Sequence, residues 1–170
     1  MDDIVELAAR AGRALHDKGL LLATAESCTG GGIAHAVTEI AGSSDWFDCG
    51  FVTYSNASKI DLLDVPATLI AQHGTVSEEI AAAMAEGALA NSNAHITVST
   101  TGIAGPGGAV PGKPVGTVCF AWAMANMRTH TERLVFIGDR QAVRAQTVAH
   151  ALQGLLRVIE DAKPVSGPNA

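Results

Sequence analysis

The sequence of 170 residues predicts an α/β layered domain built on a mixed sheet. Short apolar runs alternate with helical patterns through the first two-thirds of the chain, which is typical of α/β proteins. Two extended runs follow late in the chain and predict an antiparallel hairpin added to that sheet. No internal repeat and no linker divides the sequence, so we expect one domain.

The first half begins with apolar residues at helical spacing over 3–18, and Gly19 is expected to close this helix. Apolar runs predict strands, and amphipathic patterns with capping residues predict the helices between them. The strands are expected over 20–25, 49–54 and 96–100, and the helices over 31–40, 57–63, 66–73 and 77 to about 91.

The second half contains a loop over 102–108, predicted to be rigid and exposed because its glycines and prolines exclude regular structure. The two extended runs, 115–125 and 129–137, form the predicted hairpin, and Asp139 is expected to cap a long final helix. Residues 163–170 are predicted to be a disordered tail, which leaves residues 1–162 as the folded domain.

Composition and charge exclude several classes of function. Lysine and arginine total 11 and aspartate and glutamate 17, so the net charge is −6. A chain this acidic is a poor candidate for nucleic-acid binding, which requires a basic surface. Three cysteines without close pairing argue against a disulfide framework. The N-terminus lacks the pattern of a signal peptide and no apolar run could span a bilayer, so we expect a cytoplasmic protein that binds no membrane.

A hydroxyl-rich and glycine-rich turn follows the first predicted strand, at residues 26–32. Such a strand–turn–helix joint leaves backbone N–H groups free at the start of the helix, where anions and developing negative charge are stabilised. Ser27 is therefore a candidate nucleophile, and the backbone of Thr29, Gly30 and Gly31 a candidate anion site. The alternative is that Ser27 and Thr29 merely cap the helix.

Lys59 is the candidate base, because a serine without a histidine partner requires another proton acceptor and a desolvated lysine can serve. It lies after a predicted strand and in the first turn of a predicted helix, where the helix dipole and burial would both favour the neutral amine. Tyr54 ends the same strand and could orient the pair or relay a proton. The alternative is an ordinary surface lysine.

A second glycine-rich segment supplies further candidate ligand contacts. The hydroxyl and backbone groups of Thr101 and Gly102 would meet the first turn at one end of the sheet, where α/β proteins commonly bind ligands. Arg140 and Arg144 follow at a helix start, and Arg140 could clamp a phosphate. The alternative is a helix cap at Asp139 with two solvated arginines.

Two other kinds of site find no support. Gly107 to Lys113 has the glycine and lysine spacing of a P-loop, but Pro114 replaces the hydroxyl residue and a strand, rather than a helix, is predicted next. The six histidines are scattered, and no pair shares a helix face with a nearby carboxylate. We therefore expect neither a metal site nor a histidine triad.

Several long motifs occur in an order that is typical of one family. They are Thr24-Ala-Glu-Ser-Cys-Thr-Gly-Gly31, Tyr54-Ser-Asn-Ala-Ser-Lys59, Thr75-Val-Ser-Glu-Glu79, Thr101-Gly-Ile-Ala-Gly-Pro-Gly107, Lys113-Pro-Val-Gly-Thr-Val118 and Gly138-Asp-Arg140. Through these motifs the chain resembles, over nearly its whole length, the C-terminal domain of the competence/damage-inducible protein CinA in its free-standing form. Gly32 stands where a larger residue is frequent and Thr75 where alanine is frequent, and neither is expected to touch the chemistry.

The resemblance implies a three-layer α/β/α sandwich and the hydrolysis of nicotinamide mononucleotide to nicotinic acid mononucleotide and ammonia, without a metal or other cofactor. It also implies a homo-oligomer, at least a dimer. Carried over by position, Ser27 is the nucleophile, Lys59 its base and Tyr54 a supporting hydroxyl. Thr101 and Arg140 become ligand contacts, with Arg140 on the phosphate side. The alternative function is a catalytically silent nucleotide-binding or regulatory module of the same fold.

Overall fold

The computed structural model describes residues 3–165, and this part of the chain forms six α-helices, one short 3-10 helix (Ser43–Asp45) and five strands. The helices are α1 (Ile4–Lys18), α2 (Gly32–Thr38), α3 (Asn56–Leu63), α4 (Ala67–His73), α5 (Glu78–Ala90) and α6 (Arg140–Asp161). The strands are β1 (Leu22–Glu26), β2 (Phe47–Val52), β3 (Ile96–Gly102), β4 (Thr117–Met124) and β5 (His130–Val135). The helices and strands expected from the sequence are present in the predicted order, with small shifts at their ends.

The five strands form one mixed sheet in the order β2-β1-β3-β4-β5. Strands β1, β2 and β3 are mutually parallel, whereas β4 and β5 add the predicted antiparallel hairpin at one edge. The chain leaves β1 in one direction to reach β2 and returns past it to reach β3. Such a reversal of strand order opens a crevice at the carboxyl end of β1, and ligands commonly bind in this crevice in α/β folds.

Helices cover both faces of the sheet and give the expected three-layer α/β/α sandwich. One layer contains α1, α2 and α6, which contact each other and enclose the main apolar core. On the opposite face α5 contacts β1, β3 and β4, and α3 and α4 pack against α5. Within residues 3–165, no helix combines the length and apolar character needed to cross a membrane.

The helix ends follow the local sequence. Ser55, Ser77 and Asp139 each accept a hydrogen bond from the backbone N–H three residues ahead, at the starts of α3, α5 and α6. These side chains satisfy N–H groups that the helix itself leaves unpaired. Gly19 ends α1 with a φ of 67°, a left-handed conformation that glycine adopts without strain.

The loop predicted over 102–108 differs from the expectation. Gly102 belongs to β3, and Ala104 and Gly105 are buried, with Ala104 packed into the main core. Only the segment from Pro106 onwards is exposed, because the first part of the loop folds back over the sheet beside Val115.

The predicted tail lies mostly outside the described residues. Of residues 163–170, the structure describes 163–165, and the N–H of Val165 donates to the carbonyl oxygen of Lys18 at 2.9 Å. The prediction of disorder for 166–170 falls outside the described part of the chain.

The contact between α3 and α5 gives a test of how the fold positions Lys59. A Cβ added at Gly87 of α5 would overlap the carbonyl group of Leu63, the last residue of α3. We expect Gly87→Ala to lower the free energy of unfolding by about 1–3 kcal/mol through overpacking, despite the higher helix propensity of alanine. Urea denaturation measures this change.

Gly107→Ala is the matched control, because a Cβ at this exposed loop position meets no atom within 4 Å. Its effect should stay within about 0.5 kcal/mol. A Gly87→Ala protein as stable as the control would show that α3 and α5 are not in close contact through this glycine.

Candidate active site

Ser27 lies immediately after β1, in the crevice between β2 and β3. Its backbone N–H donates to the carbonyl oxygen of Thr100 at 3.0 Å, which extends the β1–β3 ladder by one residue. Successive strand residues point to opposite faces of a sheet. Glu26 accordingly faces α2, whereas the Ser27 hydroxyl faces α3.

The predicted contact between Ser27 and Lys59 is present. Lys59 is the fourth residue of α3, and its Nζ atom lies 3.1 Å from the Ser27 Oγ atom. The same Nζ atom donates to the carbonyl oxygens of Thr53 at 2.8 Å and Tyr54 at 3.3 Å. The Lys59 side chain is fully buried, so water does not solvate its amine.

Burial lowers the pKa of Lys59, while the neighbouring Cys28 sulfur acts in the opposite direction. A neutral amine carries two hydrogens and one lone pair. When the Thr53 and Tyr54 carbonyls accept both hydrogens, the lone pair remains for the Ser27 hydroxyl, which then donates to Nζ. This is the geometry that a serine nucleophile and its base require.

Cys28 does not compete for the role of nucleophile. Burial raises the pKa of its thiol to about 12, so the sulfur stays protonated near neutral pH. Because the thiolate is the reactive form of cysteine, the hydroxyl of Ser27 is the better candidate.

Ser27 opens into a cleft of about 210 Å³. Five of the nine predicted site residues line it, and the other four, Lys59, Thr29, Gly30 and Gly31, do not. The lining residues are Ser27, Cys28, Tyr54, Thr75, Val76, Thr101, Gly102, Ala104 and Arg140.

Tyr54 takes a different place from the one predicted. Its hydroxyl accepts a hydrogen bond from Arg140 Nη2 at 3.0 Å, and the residue is 61% exposed. The group of Tyr54 that touches Lys59 is the backbone carbonyl, not the hydroxyl. Arg140 also donates through Nη1 to the Gly105 carbonyl at 2.9 Å, which holds its guanidinium at the cleft.

The expected anion site at the start of α2 is already filled by a carboxylate. Glu26 accepts hydrogen bonds from the backbone N–H groups of Ile33 and Ala34 at 2.8 and 3.0 Å. These two N–H groups at the start of α2 are therefore not free for a ligand, because a buried side chain of the chain itself occupies them. The prediction that the backbone of Thr29, Gly30 and Gly31 binds an anion is not tested by this contact and stays a prediction.

The turn between Ser27 and α2 is likewise held by internal bonds. The Thr29 hydroxyl donates to Glu26 at 2.7 Å, and the N–H of Gly30 donates to the Ser27 carbonyl at 3.0 Å. Arg144 supports the other side through bonds of 3.1 and 3.2 Å to the carbonyls of Cys28 and Thr29. The Gly30 N–H is thus already used within the turn, whereas ligand binding by Thr29 and Gly31 stays a prediction.

Thr75 lines the cleft, a position that the sequence analysis did not expect for it. Its hydroxyl donates to Asn56 Oδ1 at 2.8 Å, and its carbonyl accepts from the Thr101 hydroxyl at 2.9 Å. The available signal was its position two residues before Ser77, the cap of α5, because the helix that leads into β3 starts at the same edge of the sheet as the cleft.

Across residues 3–165, no three His, Cys, Asp or Glu side chains are grouped so that they could hold a metal ion.

Fold and site together define an α/β protein with a buried serine–lysine pair in its sheet crevice, an arrangement suited to acyl transfer. The chain belongs to the CinA C-terminal domain family, whose model matches residues 4–159. It is 52% identical over 158 residues to the nicotinamide-nucleotide amidohydrolase PncC of Pseudomonas putida, covering 93% of this chain and 98% of that protein.

Two further comparisons agree with this assignment. The PncC of Escherichia coli K12 is 50% identical over 153 residues, covering 90% of this chain and 93% of that protein. The crystal structure of a CinA superfamily protein from Klebsiella pneumoniae 700603 superposes with a TM-score of 0.91 at 39% identity, over 95% of this chain and 100% of that one.

Proposed function

We propose that this protein is a nicotinamide-nucleotide amidohydrolase that converts nicotinamide mononucleotide to nicotinic acid mononucleotide and ammonia through an acyl-enzyme. The observation that carries the proposal is the 3.1 Å contact between the Ser27 hydroxyl and the buried Lys59 amine, beside a cleft that holds Arg140. The high identity to curated PncC enzymes supports the choice of substrate.

In the first half of the reaction, the Ser27 oxygen attacks the carboxamide carbon and Lys59 accepts the serine proton. The tetrahedral intermediate collapses as Lys59 returns that proton to the departing nitrogen, which leaves as ammonia. Water then attacks the acyl-enzyme, with Lys59 again accepting a proton, and releases the carboxylic acid and free Ser27. No step requires a metal or an organic cofactor.

The oxyanion formed during attack requires a hydrogen-bond donor near Ser27. The N–H of Cys28, the residue after the nucleophile, is the best-placed candidate because Cys28 lines the cleft. Within residues 3–165, no backbone carbonyl accepts a hydrogen bond from this N–H group. One such donor contributes about 3 kcal/mol to transition-state stabilisation.

Arg140 is proposed to bind the substrate phosphate. Its two recorded hydrogen bonds, to Tyr54 and Gly105, are with neutral groups, so its positive charge remains available to an anion. The Tyr54 hydroxyl then serves to orient Arg140, and Thr101 and Gly102 form part of the wall that positions the ring. The homo-oligomer and the cytoplasmic location stay predictions from the sequence.

Substitution of the pair tests the proposal directly. We expect Ser27→Ala and Lys59→Met each to reduce ammonia release from nicotinamide mononucleotide by on the order of a thousandfold or more, because each removes one half of the reacting pair. Nicotinic acid mononucleotide should still bind both variants, as measured by titration calorimetry.

Ser92→Ala and Lys163→Met are the matched controls, since both positions lie outside the cleft, and they should retain the rate of the unmodified protein. Full activity in Ser27→Ala would exclude the serine mechanism. Nucleotide binding by the unmodified protein without ammonia release would instead favour the silent binding module.

The lowered pKa of Lys59 predicts an acid limb in the pH profile. The base must be neutral, so kcat/KM should fall as pH decreases through this pKa and reach a plateau above it. The midpoint should lie below 10.5, the ordinary lysine value. Steady-state rates between about pH 5 and pH 10 measure it, and a flat acid side would contradict a lysine base.

The role of Arg140 is tested with two substrates that differ only in the phosphate. Arg140→Leu should reduce kcat/KM for nicotinamide mononucleotide by about tenfold to a hundredfold, the equivalent of one charge-assisted hydrogen bond. Its effect on nicotinamide riboside, which lacks the phosphate, should be within about twofold. Arg13→Leu on the exposed face of α1 is the control. An equal loss with both substrates would show that Arg140 does not bind the phosphate.

A further inference from the structure

Glu26 is a fully buried carboxylate directly before the proposed nucleophile. Its two oxygens accept four hydrogen bonds. Oε1 accepts from the Thr29 hydroxyl at 2.7 Å and the Ile33 N–H at 2.8 Å. Oε2 accepts from the Thr24 hydroxyl at 3.2 Å and the Ala34 N–H at 3.0 Å. Every donor belongs to β1, to the turn or to α2.

These bonds tie the end of β1 to the start of α2. A buried charge is costly unless it is fully hydrogen-bonded, and here two backbone N–H groups and two hydroxyls satisfy it. The intervening turn, residues 27–31, is thereby fixed at both ends. The Thr29 hydroxyl also lies 2.9 Å from the Thr100 hydroxyl, which connects the same cluster to β3.

We propose that Glu26 is a positioning residue for the proposed amide hydrolysis, whose carboxylate holds the turn so that the Ser27 hydroxyl stays in reach of Lys59. This inference rests on the proposed function. Glu26 is not an acid or base in the reaction, because its side chain faces α2 while Ser27 and Lys59 meet on the α3 side. Within residues 3–165 it makes no hydrogen bond to either reacting group.

The test is Glu26→Gln, which keeps the size of the side chain. An amide can accept through its oxygen, but its NH₂ group would face a hydroxyl or backbone N–H that also donates. We expect kcat to fall about tenfold to a hundredfold from the displaced nucleophile, with KM within about threefold. A fluorophosphonate probe should label Ser27 more slowly by a similar factor.

The pH profile separates positioning from acid–base chemistry. If Glu26 positions the turn, the plateau of kcat/KM falls in Glu26→Gln, while the midpoint of the acid limb remains at the pH of the unmodified protein because Lys59 still determines it. Loss or displacement of that limb would assign a proton-transfer role to Glu26 and overturn the proposal.

Thr97→Val is the control for general destabilisation. Thr97 is also fully buried, and its hydroxyl donates to the Ala85 carbonyl at 2.7 Å, at the opposite end of β3 from the cleft. Thr97→Val should lower the melting temperature of the protein, but kcat and the rate of probe labelling per folded molecule should stay unchanged. If Glu26→Gln behaves in the same way, the carboxylate is only structural and the proposal fails.

A milder variant serves if Glu26→Gln does not fold. Thr29→Val removes one of the four donors, and it should reduce kcat and the labelling rate by a smaller factor while the protein remains folded. An unchanged labelling rate in folded Thr29→Val would contradict the positioning role. Ammonia release by the unmodified protein is measured first, so failure of the proposed function is recognised separately, whereas probe labelling of Ser27 tests Glu26 in either case.

Discussion

The removal of the Lys59 amine from water is the interaction on which the site depends. A lysine in water is charged at neutral pH and cannot accept a proton, whereas full burial lowers its pKa. Two carbonyls directly after β2 accept hydrogen bonds from the buried amine, and α3, which carries Lys59, packs against α5. The buried amine lowers the free energy of unfolding, since it contributes less to the stability of the folded state than an apolar side chain of its size.

The alternation of side chains along β1 and β3 assembles the site between the two helical layers. Glu26 reaches α2 and Ser27 reaches α3, while Thr100 bonds the turn before α2 and Thr101 bonds the Thr75 carbonyl before α5. At their carboxyl ends, β1 and β3 therefore each place one polar side chain on the α2 side of the sheet and one on the opposite side. A shift of register by one residue would exchange these partners, so the sheet register determines that Ser27, rather than Glu26, lies against Lys59.

The helices were predicted well from the sequence because the side chains that cap them bond to backbone groups only a few residues away. Ser55, Ser77 and Asp139 cap their helices through bonds to residues three positions ahead, and such bonds leave a sequence signature. The Ser27–Lys59 pair was predicted as well, from chemistry and resemblance. The features that the sequence did not predict depend on how segments pack: the Glu26 carboxylate accepts from N–H groups seven and eight residues later, and Ala104 is buried in a glycine-rich loop. Neither position follows from the spacing of residue types.

Glu26 occupies two backbone N–H groups at the start of α2, and the positive charge near the cleft comes from side chains of α6. Arg140 and Arg144 bond to neutral oxygens, and among residues 3–165 neither forms an ion pair with a carboxylate. Their positive charges lie one helical turn apart at the start of α6, in a protein with a net charge of −6, and this local concentration of positive charge attracts small anions. Arg140 lines the cleft and Arg144 bonds to the carbonyls of Cys28 and Thr29, so α6 contributes both to the wall of the cleft and to the turn that follows Ser27.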